Sequence, residues 1–178
     1  MNFDLKSTRA ILARTPAVLD SLLRDLQDDW VKQDEGPDTW SPFDVVGHLI
    51  HGELTDWIPR ARFILEHGPD ETFVPFDRFA QYEASNGKTM NQLLDRFAGL
   101  REQNLLALDG LNLTAEQLKL GSRHPEHGVV TMRQLLSTWT VHDLGHIGQI
   151  VRAMAGGYAT EVGPWAAYLP ILASRHGR

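Results

Sequence analysis

The apolar positions of this chain recur mostly at spacings of three and four, the repeat that gathers side chains on one face of an α-helix. Val18, Leu19, Leu22, Leu23 and Leu26 form one such stripe. Thr15-Pro16 ahead of it reads as an N-cap followed by proline in the first turn. A shorter turn of helix around Leu5 to Ala13 precedes that break. Gly36-Pro37-Asp38 makes a loop, and Ser41-Pro42 then repeats the cap-plus-proline device, with Asp44 near the positive end of the helix it opens. This helix carries Val45, Val46, His48, Leu49 and His51. Pro59 should kink or interrupt it, and the pattern resumes through Phe63, Ile64 and Leu65 until Gly68-Pro69. Residues 69–87 read as a long connection with aromatic anchors at Phe73, Phe76, Phe79 and Tyr82.

Thr89 with Gln92, Thr114 with Gln117 and Thr131 with Gln134 each have the spacing of a capping box. They predict a helix through Leu93, Leu94, Phe97, Leu100 and Leu105 to about Asp109, a short helix after Thr114, and a last long helix ending at Gly156-Gly157. His124 to Gly128 is turn-like, Val129-Val130 is locally extended, and Gly163-Pro164 starts a final short helix with Trp165, Tyr168 and Leu169. The pattern predicts an all-α fold: a four-helix bundle with short extra helices in the connections and at the C-terminus. One domain over residues 1–178 is expected, a length sufficient for one hydrophobic core.

Composition narrows the function. Apolar residues make up 42% and charged residues 22%, as in an ordinary soluble globular protein. A net charge of −6, with no run of Lys or Arg, argues against a nucleic-acid partner. No apolar stretch approaches the ~20 residues that span a bilayer, so no membrane partner is expected. Met1-Asn2-Phe3-Asp4 lacks the basic-then-apolar pattern of a signal peptide, and the expected location is the cytoplasm. Cysteine is absent. Any metal must therefore be held by His, Asp or Glu, and any thiol chemistry needs a thiol brought in from outside.

The sharpest chemical signal is His142-Asp143-Leu144-Gly145-His146 within the last long helix. Residues four apart project from one face, so both imidazoles can reach one ion, and Gln149 follows at the next turn. Leu135, Thr138 and Trp139 on the same face point it inward. An imidazole buried there needs a hydrogen-bond partner or a metal. Asp143 stands where a zinc-protease HExxH helix carries Glu, and its shorter side chain argues against that chemistry. A third ligand would come from the helix opened by Ser41, where His48 and His51 both sit in apolar context and spacing leaves either open. His67, His124, His127 and His176 lie near loops or the terminus and read as solvated. Glu53 and Asp56 lie well round the helix from His48 and read as solvated or dimer-facing charges. Asp143 reads as a structural polar residue, and Trp40, Trp57, Trp139 and Trp165 as core or interface aromatics.

Three segments together resemble the DinB-like (DinB/YfiT) metalloproteins: Thr15 to Leu19, Trp40 to Leu49, and Trp139 to Gln149. The resemblance runs on to Val162-Gly163-Pro164-Trp165, nearly the whole chain. It implies a four-helix bundle with one nickel- or zinc-type divalent ion at one end, held by His48, His142 and His146, with His51 the alternative ligand. It also implies a homodimer. That family contains thiol-dependent S-transferases and a thiol-dependent maleylpyruvate isomerase.

Three neutral imidazoles leave such an ion its double charge and an open position, the catalytic pattern rather than the closed structural one. An ion so held can bring the pKa of bound water toward ~7 or deprotonate a thiol. The expected function is a metal-dependent enzyme that activates a low-molecular-weight thiol or water against a small electrophilic substrate, of S-transferase, isomerase or hydrolase type. The alternative is a non-catalytic metal-binding stress-response or structural bundle, with a carboxylate or His51 closing the coordination. Asp44, one turn before His48, and Gln149, one turn after His146, are the candidates to accept a ligand's second ring N–H.

Overall fold

The computed structural model describes residues 2–173. Its long helices start where the capping chemistry puts them. Ser41 and Asp44 cap each other reciprocally at the head of α4 (Pro42–Thr55), Thr89 and Gln92 at α7 (Met90–Gly110), and Thr131 and Gln134 at α8 (Met132–Gly156). Thr114 and Gln117 exchange the same pair of bonds, but only a single 3₁₀ turn, Gln117–Lys119, follows. Asp4 caps α1 (Leu5–Leu12) by accepting from the Ser7 amide at 2.7 Å.

Two predicted features are corrected. Thr15 does not cap α2 (Thr15–Leu23); it is the first residue inside the helix, and its hydroxyl donates to Asp143 Oδ2 at 2.6 Å. The stripe behind it is split, with Leu19 and Leu23 buried while Val18 and Leu26 stay exposed. Residues 69–87 are not all connection: α6 (Ala80–Ser85) lies within them, packed on α4. Gly47 allows that approach, because a Cβ there would stand 2.6 Å from Ser85 Oγ. Of the four aromatic anchors, Phe73 is buried, Phe76 half-buried, and Phe79 and Tyr82 are exposed.

The interruption expected from Pro59 falls at Asp56, between α4 and α5 (Trp57–His67). Proline has no N–H to offer the carbonyl four residues earlier, Thr55, so the helix ends there and restarts. Short α3 (Asp28–Val31) leads into the first loop. Gly121–His124 (β1) and Gly128–Thr131 (β2) form an antiparallel hairpin whose turn holds His124 to Gly128, and Val129-Val130 is extended as expected. The C-terminal Gly163–Tyr168 is a 3₁₀ helix on which Trp165 is 72% exposed rather than core.

Taken end to end, α1 with α2, α4 with α5, α7 and α8 are the four members of a bundle. α4 packs on α7 and α8, α2 on α7, and α1 and α5 on α8. The apolar core falls into two clusters. One gathers Leu19, Leu23, Val45, Leu49, Leu93, Phe97 and Ile150; the other Leu12, Trp57, Ile64, Leu105, Leu136 and Trp139. On all four members one polar residue marks the seam between them: Thr15, Glu53, Arg101 and Asp143.

These four side chains meet. Arg101, 1% exposed, forks onto Asp143 through Nη1 to Oδ2 at 2.6 Å and Nη2 to Oδ1 at 3.1 Å. Its Nη1 also donates to the Leu12 carbonyl and its Nη2 to Glu53 Oε1, both at 2.8 Å. Glu53 accepts further from Trp139 Nε1 at 3.1 Å and Asn104 Nδ2 at 2.9 Å. Burial opposes the Arg101 cation, but the adjacent Asp143 and Glu53 carboxylates outweigh it and hold its pKa above the ordinary value. Glu53 is thus a buried ion-pair partner, not a solvated charge; Asp143 is the structural polar residue expected.

Removing the cation would leave two carboxylates buried without compensation. Arg101→Met should destabilise the fold by about 3–5 kcal/mol, read from the urea midpoint at constant m-value; a change below about 1 kcal/mol would show the layer to be dispensable.

Candidate metal centre

His142 and His146 lie one turn apart on α8, and α4 brings His48 to meet them. His48 Nε2 stands 3.0 Å from His142 Nε2, which stands 3.1 Å from His146 Nε2. One ligand atom from each of the three lies within 4.8 Å of the others, and among the described residues no carboxylate or further histidine joins the group. Nitrogens bound at about 2.0–2.1 Å to a tetrahedral ion would lie about 3.3 Å apart, so the spacing fits one small cation.

The donor chemistry also fits. Burial drives the His142 pKa down to about 2 and that of His48 to about 3, with the neighbouring imidazoles adding to the effect. Burial lowers His146 as well, against the opposing influence of Gln149. The three rings are therefore neutral at pH 7 and carry lone pairs. Gln149 Oε1 lies 3.0 Å from His146 Nδ1. A carbonyl oxygen can only accept there, so the proton sits on Nδ1 and the His146 Nε2 lone pair faces the cluster. Three lone pairs converging in an apolar interior repel unless a proton or a cation lies among them.

The remaining sequence candidates are placed as follows. The Asp44 carboxylate is taken up by the capping box, accepting from the Ser41 amide at 3.0 Å and its hydroxyl at 2.6 Å, and is not bonded to His48. His51 is half-buried one turn on and packs against Phe76 at 4.8 Å, outside the cluster. Asp56 is not a solvated charge: it pairs with Arg60 at 2.6 Å, with both side chains nearly buried, and burial raises its pKa. Trp40 packs at a tilt 4.6 Å from His48 and stacks 6.1 Å from His146, while Trp57 meets His142 edge-on at 5.1 Å. His67 is exposed as expected, and His176 lies outside the described residues.

The cluster opens onto a cavity of about 340 Å³. His48, His142 and Trp57 form one wall and the hairpin residues His124 and His127 another; the segment Phe73 to Arg78 closes a side. That segment is pinned to the hairpin, because the Phe73 amide donates to Arg123 O and the Arg123 amide to Glu71 O, each at 2.9 Å. Phe76 reaches both His48 and His51. His124 and His127 stack on each other at 4.4 Å and line the cavity; His127 is exposed as expected, while His124 is half-buried. Their part was hidden because only the fold of β1 and β2 carries the turn to α8.

A family model of the DinB superfamily matches residues 11–150. The chain belongs to the DinB superfamily. Among solved structures, YfiT from Bacillus subtilis is similar to this DinB chain over 91% of each, at 21% identity and a TM-score of 0.73. That protein is described as a probable metal-dependent hydrolase with an unusual four-helix bundle topology. At this identity the likeness establishes the shared bundle fold. No curated protein matches the chain.

The neutral state of the buried rings has a consequence for stability. In the unfolded chain these imidazoles take protons near pH 6.5, while in the fold they stay neutral to far lower pH. The unfolded state binds more protons throughout that interval, so stability falls as pH drops through it. The Tm of metal-free protein should decline from pH 7 to pH 5, and a His48→Gln/His142→Gln double variant should show a flatter profile. Equal slopes for the two proteins would contradict the assignment of the neutral rings.

Proposed function

We propose that this DinB-superfamily chain is a metal-dependent enzyme. His48, His142 and His146 hold one divalent ion, zinc or nickel, and the reaction is attack by water or a low-molecular-weight thiol on a small electrophile. The observation that carries this reading is the convergence of three neutral imidazole nitrogens about 3 Å from one to the next, His48 buried and His142 and His146 half-buried, with His48 and His142 lining a cavity. The ion, when bound, supplies Lewis acidity that brings the pKa of a water or thiol toward neutrality.

The protein's own residues do the rest. α8 sets His142 and His146 one turn apart, and the buried Asp143 between them locks that turn through Arg101 to α4, where His48 resides. Gln149 fixes the tautomer of His146. Trp40, Trp57 and Phe76 pack against the cluster and give it an aromatic surround. Since the chain has no cysteine, a thiol nucleophile must be diffusible, and the cavity volume suits a small one. A purely structural ion would favour a fourth protein ligand, and no carboxylate joins the group among the described residues.

Wild-type protein should bind one divalent ion per chain by elemental analysis, and His142→Ala should lose the ion and turnover together in assays of ester hydrolysis and thiol consumption. Wild-type protein that binds no ion after incubation with zinc or nickel would sink the reading. Gln149→Ala, which frees the His146 ring, should weaken metal affinity by about 10–100-fold in a chelator competition titration while the fold is retained.

A further inference from the structure

We propose that the cavity in front of the imidazole cluster is built for a small organic anion, whose negative group is held by Arg78. This rests on the metal-centre reading above and names the class of molecule that the centre would receive.

The charges that line the cavity decide it. Arg60 is already committed: it pairs with Asp56 at 2.6 Å, lies over the Phe73 ring at 5.0 Å, and donates to the Val74 carbonyl at 3.4 Å. It serves to hold the Phe73–Arg78 segment in place and has no net charge to offer. Arg78 lines the same cavity at the end of that segment. Among the described residues it forms no ion pair and no side-chain hydrogen bond within the protein. The carboxylate beside it in sequence, Asp77, is occupied in accepting from the Phe79 and Ala80 amides at 2.9 and 3.3 Å. Glu126 sits on the hairpin side, where its charge acts on His124.

The cavity's other polar groups are poor anchors for an anion. His124 is held below its ordinary pKa by burial and by Arg60, so it is neutral at pH 7. Arg78, by contrast, offers a guanidinium whose planar fork matches the two oxygens of a carboxylate. It lines the same cavity as His48 and His142. A molecule with a carboxylate on Arg78 would thus extend its other end over Phe76 toward the imidazole cluster. The cavity, at about 340 Å³, lies at the small end of ligand sites, which run from about 300 to 1,000 Å³.

The test uses cobalt(II)-loaded full-length protein and three small thiols: anionic 3-mercaptopropionate, uncharged 2-mercaptoethanol and cationic 2-aminoethanethiol. Binding is read from the cobalt absorption spectrum, in wild type and in Arg78→Gln. Comparing the two proteins for each thiol cancels the differing basicity of the thiols. Arg78 is exposed and holds no internal contact of the kinds described, so the variant should fold normally, which its Tm verifies. The expected result is a loss of about ten-fold or more in affinity for 3-mercaptopropionate, the size of one charge-assisted bond, with a change under about two-fold for 2-mercaptoethanol. An equal effect on all three thiols, or none on any, would overturn the assignment to Arg78 while leaving the metal centre standing. Protein that takes up no cobalt would overturn the metal-centre reading and this inference with it, whereas a cobalt spectrum that answers to none of the thiols would overturn this inference alone.

Discussion

A guanidinium enclosed by carboxylates at the middle of a helical bundle constrains everything around it, because sliding any one helix would strand a charge without a partner. Arg101 occupies that place here. It binds Asp143 of α8 with both arms, Glu53 of α4 with one, and the Leu12 carbonyl at the end of α1, while Thr15 of α2 caps the same Asp143. Buried ion pairs contribute little net stability compared with apolar residues of the same volume, yet breaking one is costly. Their effect in this bundle is on register: two apolar clusters could pack in several alignments, and the polar seam between them permits one.

The same seam positions the chemistry. Asp143 is held by Arg101, and His142 and His146, which flank it round the face of α8, are thereby fixed in orientation toward His48 on α4. Glu53 plays the matching part on α4, where His48 lies a little over one turn earlier. The link continues in apolar form, since Trp139 donates to Glu53, stacks on Trp57 at 5.7 Å, and Trp57 meets the His142 ring. The donor atoms of three neutral rings are thus assembled by a network whose ionic part, Arg101, Glu53 and Asp143, is not part of the cavity lining. Elements outside the bundle then shape what reaches them: the hairpin and the segment from Phe73 to Arg78 are tied to each other by backbone hydrogen bonds, and together they form the cavity's outer walls.

Much of this was legible in the sequence wherever the physics is local. Helix caps span about four residues, and those at Ser41, Thr89 and Thr131 open the helices they predict. The 142/146 spacing on an inward face is likewise a property of one helix. Arg101, Glu53 and Asp143 left a trace too: each interrupts an apolar stripe, as in Phe97, Arg101, Leu105 or Ile50, Glu53, Trp57. Glu53 was nonetheless read as solvated because it points away from His48. That inference fails for a helix such as α4, which is buried on several sides at once. Thr15 failed for a related reason: a hydroxyl at a helix start serves the local amide only when no buried carboxylate competes for it.

The sequence by itself determined the all-α class, the principal helix starts and the paired histidines of α8, since each depends on contacts within a few residues. Only the tertiary structure decided between His48 and His51 as the third member of the cluster, placed His124, His127 and Arg78 around one cavity, and joined Thr15, Glu53, Arg101 and Asp143 into one layer. Those partners lie tens of residues apart along the chain. Which of them meet depends on the rotation of each helix about its axis and on the path of the connections, quantities set by packing the whole core and carried by no local pattern.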